Sequence, residues 1–420
     1  MTYAPDDFVE FLKNSPSSFH AADNVARTLV DHGFSHEHRA QPWNASPGGH
    51  FVVVDGAVLA WWVPHELHTS PAFRIVGAHT DSPGFVLKPH PVNPAGSWGT
   101  VGVEVYGGPI IPSWFDRDLT VAGQVVLSDG SVHLARVDNA LRIPHLAIHL
   151  DRSTEFAPNR QVDTTPIFTY ASDATELLDD LAASVDTGLN GRDIAAHRLI
   201  TCDSQAPAYV GQGGMLASGR LDNLTSVWAG LAALVNAVEN DDAADVILVF
   251  AAFDHEEVGS QSPTGAAGPL LEEVLRRTAR ALGADAEEFE QMRARSTMIS
   301  ADAAHAVHPN HPEKHDPNHQ PHFGSGPVTK INANQRYATT APMVALWNEA
   351  CSAAGVPNQM FVGRNDVPCG STIGPISATR VGIQTLDVGV PLLSMHSARE
   401  LVAISDVLQL GQALEAYWVR

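Results

Sequence analysis

The stretch Val246-Ile-Leu-Val-Phe-Ala-Ala-Phe253, followed by Asp254-His255-Glu256-Glu257, decides how this chain is read. Its apolar part shows no polar alternation, so it predicts a strand buried on both faces rather than one. Strands of that kind belong to sheets covered by helices on each side. The run ends on a cluster of acids and an imidazole. In open α/β sheets the carboxyl ends of the strands are where ligands bind.

Working outward, Phe73–Gly77 is a second, almost wholly apolar run, interrupted by Arg74, and it leads to His79. Phe51–Val54 and Val58–Val63 are β-rich runs before it. Asp6–Asn14 and Ser18–His32 read as helices, the second closed by Gly33. Around the deciding stretch, helix and strand alternate. Helix Asn223–Val238 comes first, then helix Pro269–Leu282, strand Thr297–Ser300 and helix Ala341–Ala354. Strands Met360–Val362 and Gly382–Leu386 and helix Ala398–Tyr417 follow. Between about Pro91 and Gly214 the texture changes to short β-rich runs, Val101–Tyr106, Thr120–Val126 and Ser131–Val137, punctuated by Gly, Pro and Asp. The expected architecture is therefore α/β: a mixed, mostly parallel sheet sandwiched by helices, with an inserted mainly β domain. The expected division is a discontinuous main domain, 1–90 and 215–420, and an inserted unit, 91–214.

The chain has 420 residues, 44% of them hydrophobic, with Gly 33 and Pro 28, which suits a soluble α/β protein of two or so domains. No apolar run reaches the length of a membrane span, and the opening residues do not read as a secretory leader. Cys202, Cys351 and Cys369 suit neither a disulfide framework nor a zinc knuckle, so a reduced, cytoplasmic protein is expected. The net charge of −22 argues against nucleic acid as a partner, and no membrane partner is expected.

Chemistry concentrates in a few words: His79-Thr80-Asp81, Leu221-Asp222-Asn223, Asp254-His255-Glu256-Glu257, Asp302 and Ser394-Met395-His396. Alone, each has an ordinary reading: a surface His–Asp pair, a helix cap at Asp222, an acidic turn at Glu256-Glu257. Together they offer two imidazoles and several carboxylates at strand ends, a ligand set for a pair of divalent cations. Asp81 stands two residues from His79, where its carboxylate can hold the ring's far nitrogen. Of the adjacent acids Glu256 and Glu257, one can bind metal while its neighbour takes a proton from water. Asp222, with two oxygens, can bridge two ions. Ligands without thiolate suit zinc, cobalt or manganese. Residues 305–322 hold His305, His308, His311, His315, His319 and His322 at helix-like spacing, but Pro309, Pro312, Pro317 and Pro321 forbid a continuous helix. A polar loop is expected there.

These words resemble the aspartyl aminopeptidases of the M18 metallopeptidase family. The resemblance rests on Gly77-Ala-His-Thr-Asp-Ser-Pro83, Arg220-Leu-Asp-Asn223, Phe253-Asp-His-Glu-Glu-Val-Gly-Ser260, Ala304-His-Ala-Val-His-Pro-Asn310, Lys330-Ile-Asn-Ala-Asn-Gln-Arg-Tyr337, Arg364-Asn-Asp-Val-Pro-Cys-Gly-Ser-Thr-Ile-Gly374 and Ser394-Met-His-Ser397, in this order. It implies a metallopeptidase catalytic domain and a β-rich insertion used for oligomerisation, in a homo-oligomer that is a dodecamer in the family. It implies one metal on His79, Asp222 and Asp302, and a second on Asp222, Glu257 and His396. Both are divalent, zinc foremost, with cobalt or manganese as alternatives. Glu256 would be the general base and Asp81 the partner of His79. His149, His305, Lys330 and Tyr337 match substrate-contacting positions, Lys330 facing an acidic side chain and His149 entering a neighbouring subunit's site; an older reading makes His149 a metal ligand. Ala303 stands where the family commonly has Met, and Gly219 occupies a variable place. The implied activity is hydrolysis of the first peptide bond of peptides with N-terminal Asp or Glu. An aminopeptidase or N-acyl amidohydrolase of other specificity, or a non-catalytic metal-stabilised scaffold, are the alternatives.

Overall fold

The computed structural model describes residues 1, 3–43, 46–67, 71–170, 176–239 and 246–419. Its centre is strand Val246–Phe253, buried at every position. Leu248, Phe250 and Ala252 point into one apolar core, while Ile247, Val249, Ala251 and Phe253 point into another. This alternation explains the uninterrupted apolar run: the sheet has no face that meets water. Each large side chain so buried contributes about 1.5–3 kcal/mol.

Among the described residues, nine strands form the main sheet, in the order Ser35–His36, Gly48–Val54, Ala57–Val63, Val246–Phe253, Ala72–His79, Thr297–Ala301, Gln384–Gly389, Val328–Ile331, Gln359–Val362. Five of the eight neighbouring pairs are parallel, so the sheet is mixed and mostly parallel. Helices Pro5–Lys13, Ser18–Asp31, Leu221–Glu239, Ala341–Ala354 and Ile404–Trp418 cover one face. Leu270–Ala281, Ala286–Arg295 and Ile373–Val381 cover the other. Among the described residues, one helix is long and apolar enough to span a membrane, Leu221–Glu239, and it is 94% buried within the fold.

Among the described residues, six strands close a barrel with its own core around Phe85, Trp114, Leu119 and Leu199. They run from Gly84–Ala95 to Ile194–Asp203. A third, small sheet joins Ala208–Val210 and Met215–Ser218 to Glu400–Ala403, Pro391–Leu393 and Ala304–His305.

Two elements carry no sequence expectation, and one expected boundary moves. Gly84–Ala95 is a strand despite Pro89 and Pro91, because both fall where its pairing breaks, between Leu87 and Val92. Ala286–Arg295 is a helix with little apolar periodicity, begun by a reciprocal capping box of Asp285 and Glu288. The last helix starts at Ile404, not Ala398, because Glu400–Ala403 pairs with Met215–Ser218. The His-rich segment is a loop with a single 3-10 turn, Pro312–Lys314.

Candidate metal centre

Register explains how distant residues meet. His79 closes its strand opposite Phe253, and Asp302 follows Ala301, which lies beside Val388. Strands Ala72–His79, Val246–Phe253 and Thr297–Ala301 are parallel neighbours, so their carboxyl ends share one edge. The word Arg220–Asn223 arrives at the start of helix Leu221–Glu239, where Asp222 and Asn223 lie outside helical geometry. Ser82 Oγ donates to the Asp222 carbonyl at 2.7 Å, and Asn223 Nδ2 donates to the Ala301 carbonyl at 2.9 Å. These bonds tie the helix start to the strand ends.

The side chains form two groups around Asp222 and a third, His79, Glu256 and Glu257, beside them. Of the two around Asp222, His79, Asp222 and Asp302 are one; Asp222, Glu257 and His396 are the other, each with its donor atoms within 4.8 Å of one another. His79 Nε2 lies 3.4 Å from Asp222 Oδ1 and 3.5 Å from Asp302 Oδ1. His396 Nε2 lies 3.4 Å from Asp222 Oδ2 and 3.3 Å from Glu257 Oε2. Asp222 thus turns one oxygen toward each imidazole. Asp222 Oδ1 and Glu257 Oε1 are buried without a hydrogen-bond partner. Buried carboxylate oxygens are rarely left so, and a divalent cation is the partner that fits this donor set.

Around these groups, His79 Nδ1 donates to the Asp81 carbonyl at 3.0 Å and lies 3.4 Å from Asp81 Oδ1. The Asp81 carboxylate also accepts the backbone N–H groups of Glu256 and Glu257, at 3.0 and 3.1 Å. Adjacent in sequence, the two glutamates turn toward different partners, though each offers an oxygen within 4.8 Å of the other and of His79. Glu257 faces His396, while Glu256 Oε2 lies 4.0 Å from His79 Nε2.

Electrostatics follow from crowding acids in a buried place. Burial, with Asp302, Asp222 and Asp81 nearby, pushes the Glu256 carboxyl up to about 8 against the pull of His79. Burial and Asp222 raise Glu257 well above the usual range. Burial disfavours the His396 imidazolium, but Asp222 and Glu257 overcome it and push its pKa up to about 10. His79 behaves alike: burial opposes its charge, and Asp222, Asp302 and Asp81 raise its pKa well above normal. The site therefore holds positive charge wherever it can get it.

Of the remaining expected residues, Lys330, Tyr337 and His305 gather around Phe361 beside Asp302, and His149 stands apart. Lys330 Nζ is buried and donates to the carbonyls of Asp302 and Ala303 at 2.9 and 3.1 Å. It lies 3.7 Å from Asp302 Oδ2 and 5.1 Å from the centre of the Tyr337 ring. Tyr337 is buried beside Phe361, and His305, exposed, packs edge-on to the same Phe361. His149 lies exposed on the barrel's long loop, with no hydrogen bond or ion pair to the cluster among the described residues. Sequence reasoning missed Glu400, buried, which accepts the backbone N–H groups of Asp222 and His396 at 3.0 and 2.8 Å. The usable signal was an acid embedded beside Leu401-Val402-Ala403. It also missed Tyr106, whose hydroxyl donates to Asp81 Oδ2 at 2.8 Å.

A covered α/β sheet with imidazoles and carboxylates gathered at its carboxyl edge, in groups that could hold a metal ion, fits a metal-dependent hydrolase. Residues 11–418 match the family model described as aminopeptidase I zinc metalloprotease (M18), and the chain belongs to that family; it is a metallo-aminopeptidase. It is 46% identical over 419 residues to a probable M18 family aminopeptidase 2 of Streptomyces avermitilis, covering 98% of this chain and 96% of that protein. Its fold matches a chain of the Ape4 and Nbr1 complex with a TM-score of 0.94 at 35% identity, covering 99% of this chain and 85% of that one. It also matches a chain of the S. cerevisiae mApe1 dodecamer with a TM-score of 0.86 at 26% identity, covering 98% and 95%.

Proposed function

We propose that this protein is a two-metal aminopeptidase that removes N-terminal Asp or Glu from peptides. The observation that carries the reading is Asp222, with one oxygen toward His79 and Asp302 and the other toward His396 and Glu257. His79, Asp222 and Asp302 would hold one divalent cation, and Asp222, Glu257 and His396 the second. Zinc is the first choice, with cobalt or manganese as alternatives. When bound, such a pair polarises a carbonyl and acidifies water. Asp81 orients His79 and, through the backbone N–H groups of Glu256 and Glu257, the turn that carries both glutamates. Glu256, unshared by either group, takes a proton from the attacking water and returns it to the leaving amine. Its raised pKa supports that role, since a base works best near the operating pH.

Lys330 supports an acidic preference. Two of its three N–H groups are taken by carbonyls, and the ammonium lies 3.7 Å from Asp302 Oδ2; with Asp302 engaged by a cation, the third N–H would serve a substrate carboxylate. His305 and Tyr337 flank it across Phe361. Leu146, Ile148 and Leu150, 68, 67 and 77% exposed, surround His149 on an apolar loop. That exposure supports a homo-oligomer in which the barrel packs on another copy and His149 acts in trans, a dodecamer by likeness to mApe1. Three unpaired cysteines support a reducing compartment, the cytoplasm.

The test is hydrolysis of Asp-Ala and Leu-Ala peptides with and without chelator, on wild type and Lys330→Met. Metal-dependent cleavage favouring Asp-Ala, with the preference lost in Lys330→Met, is expected. Equal losses on both peptides would remove Lys330 from selection.

A further inference from the structure

We infer that Tyr106–Ile110, the segment leaving strand Trp98–Tyr106 of the barrel, is a positioning element for the metal centre. The inference rests on the reading of Asp81, Glu257 and His396 as parts of that centre, and it gives the barrel a role inside its own chain as well as any role in assembly.

Each residue of the segment but Pro109 touches the site, at Asp81, Glu257 or His396. The Tyr106 hydroxyl donates to Asp81 Oδ2 at 2.8 Å. The same carboxylate holds the N–H groups of Glu256 and Glu257 and stands beside His79. Removing the hydroxyl leaves that carboxylate one donor short and freer to turn away from His79. Gly107, with φ +70°, lies against Glu257: a Cβ there would stand 3.1 Å from the Glu257 Cβ and 3.4 Å from its carbonyl oxygen. Only glycine allows both that backbone conformation and that approach. The Gly108 carbonyl accepts Nδ1–H of His396 at 3.0 Å, and the Ile110 N–H donates to the His396 carbonyl at 2.9 Å.

The His396 contact has a chemical consequence. An imidazole that donates from Nδ1 keeps its lone pair on Nε2, the atom facing Asp222 and Glu257. The backbone around it needs the support. Ser394 and His396 sit at φ 58° and 68°, a left-handed region that non-glycine residues hold only when their surroundings impose it. Four contacts from one short segment thus reach residues of both cation groups, directly or through Asp81. The hydroxyl of Tyr106 is the one that a conservative substitution can remove.

The test compares wild type, Tyr106→Phe, Gly107→Ala and, as control, Tyr170→Phe, whose side chain is exposed on the barrel. Metal-stripped protein is titrated with zinc against a chromogenic chelator, and kcat and KM are measured on a cleaved peptide. Tyr106→Phe is expected to weaken zinc binding about 10–100-fold, the usual cost of losing an outer hydrogen bond at a metal site. It should lower kcat while KM stays within about twofold, because the loss falls on the reacting groups and not on substrate binding. Gly107→Ala is expected to weaken zinc further, and Tyr170→Phe to match wild type. Wild-type zinc affinity in Tyr106→Phe overturns the inference whatever the rates do, and Tyr106→Phe decides alone if Gly107→Ala fails to fold. If wild type cleaves no acidic peptide while Tyr106→Phe still loses zinc, the substrate reading falls and the positioning role stands.

Discussion

Glu400→Gln isolates what an outer carboxylate does at this centre. Glu400 receives two backbone N–H groups, one from each of two proposed ligands, Asp222 and His396. A hydrogen bond to a charged acceptor is worth about 1.5–3 kcal/mol. Glutamine keeps one acceptor oxygen and turns an NH2 group toward the other N–H, so one bond is lost and a buried donor is orphaned. The cost depends on cation loading. In the metal-free protein, burial and the Asp222 charge push the Glu400 pKa up to about 8, so near pH 7 the side chain is largely neutral and an amide replaces it at small cost. With cations neutralising Asp222, Glu400 ionises and the amide costs its full amount. The two states should differ by about 1.4–2.8 kcal/mol, which by the binding cycle is a 10–100-fold loss of zinc affinity. Urea denaturation with and without zinc, at pH 7, gives one side of the cycle; chelator competition gives the other. Equal destabilisation of loaded and metal-free protein, with zinc affinity unchanged, would refute the reasoning.

Other outcomes follow from the same geometry. Glu256→Gln should retain both zinc equivalents in a chelator titration and lose at least about 10²–10⁴ in kcat; loss of zinc with residual turnover would reverse the roles of the two glutamates. In metal-free protein at pH 7, His396 carries a proton, since Asp222 and Glu257 push its pKa up to about 10, and His79 and Glu257 are shifted upward as well. Zinc binding should therefore release about two protons or more, from His396 and Glu400 at least, read by calorimetry in buffers of different ionisation enthalpy, and affinity should fall as pH drops; no release would contradict the assignment. Asp406, buried, accepts the N–H groups of Gly324 and Gly326, yet burial still pushes its pKa up to about 6. A folded pKa above the unfolded value of about 3.9 favours folding below pH 4, and that contribution is lost as pH rises through 6. Relative to Asp406→Asn, wild type should lose about 2–3 kcal/mol of stability across that window; parallel curves would remove the group from the pH response.

Patterning made much of the molecule legible beforehand. Strand Val246–Phe253 and helix Ala341–Ala354 fall where their apolar spacing predicts, because burial on two faces, or on one stripe, is written directly into residue order. The words holding His79, Asp222, Glu257, Asp302 and His396 were visible for a related reason: polar residues at strand ends have little structural work to do. Local pattern could not show which backbone groups those side chains would serve. Glu400 sits in a segment that reads as the start of a helix, and only the pairing of Glu400–Ala403 with Met215–Ser218 brings its carboxylate under Asp222 and His396. Tyr106 reads as one more aromatic in a β-rich run until the barrel closes against the main sheet and sets its hydroxyl on Asp81. Lys330, legible as a cation for acidic substrates, turns out to be anchored to the carbonyls of Asp302 and Ala303. Composition and periodicity record what each element buries. Hydrogen bonds between residues far apart in sequence, such as Asp222 and Glu400, depend on register and packing angle, and those exist only once the chain has folded.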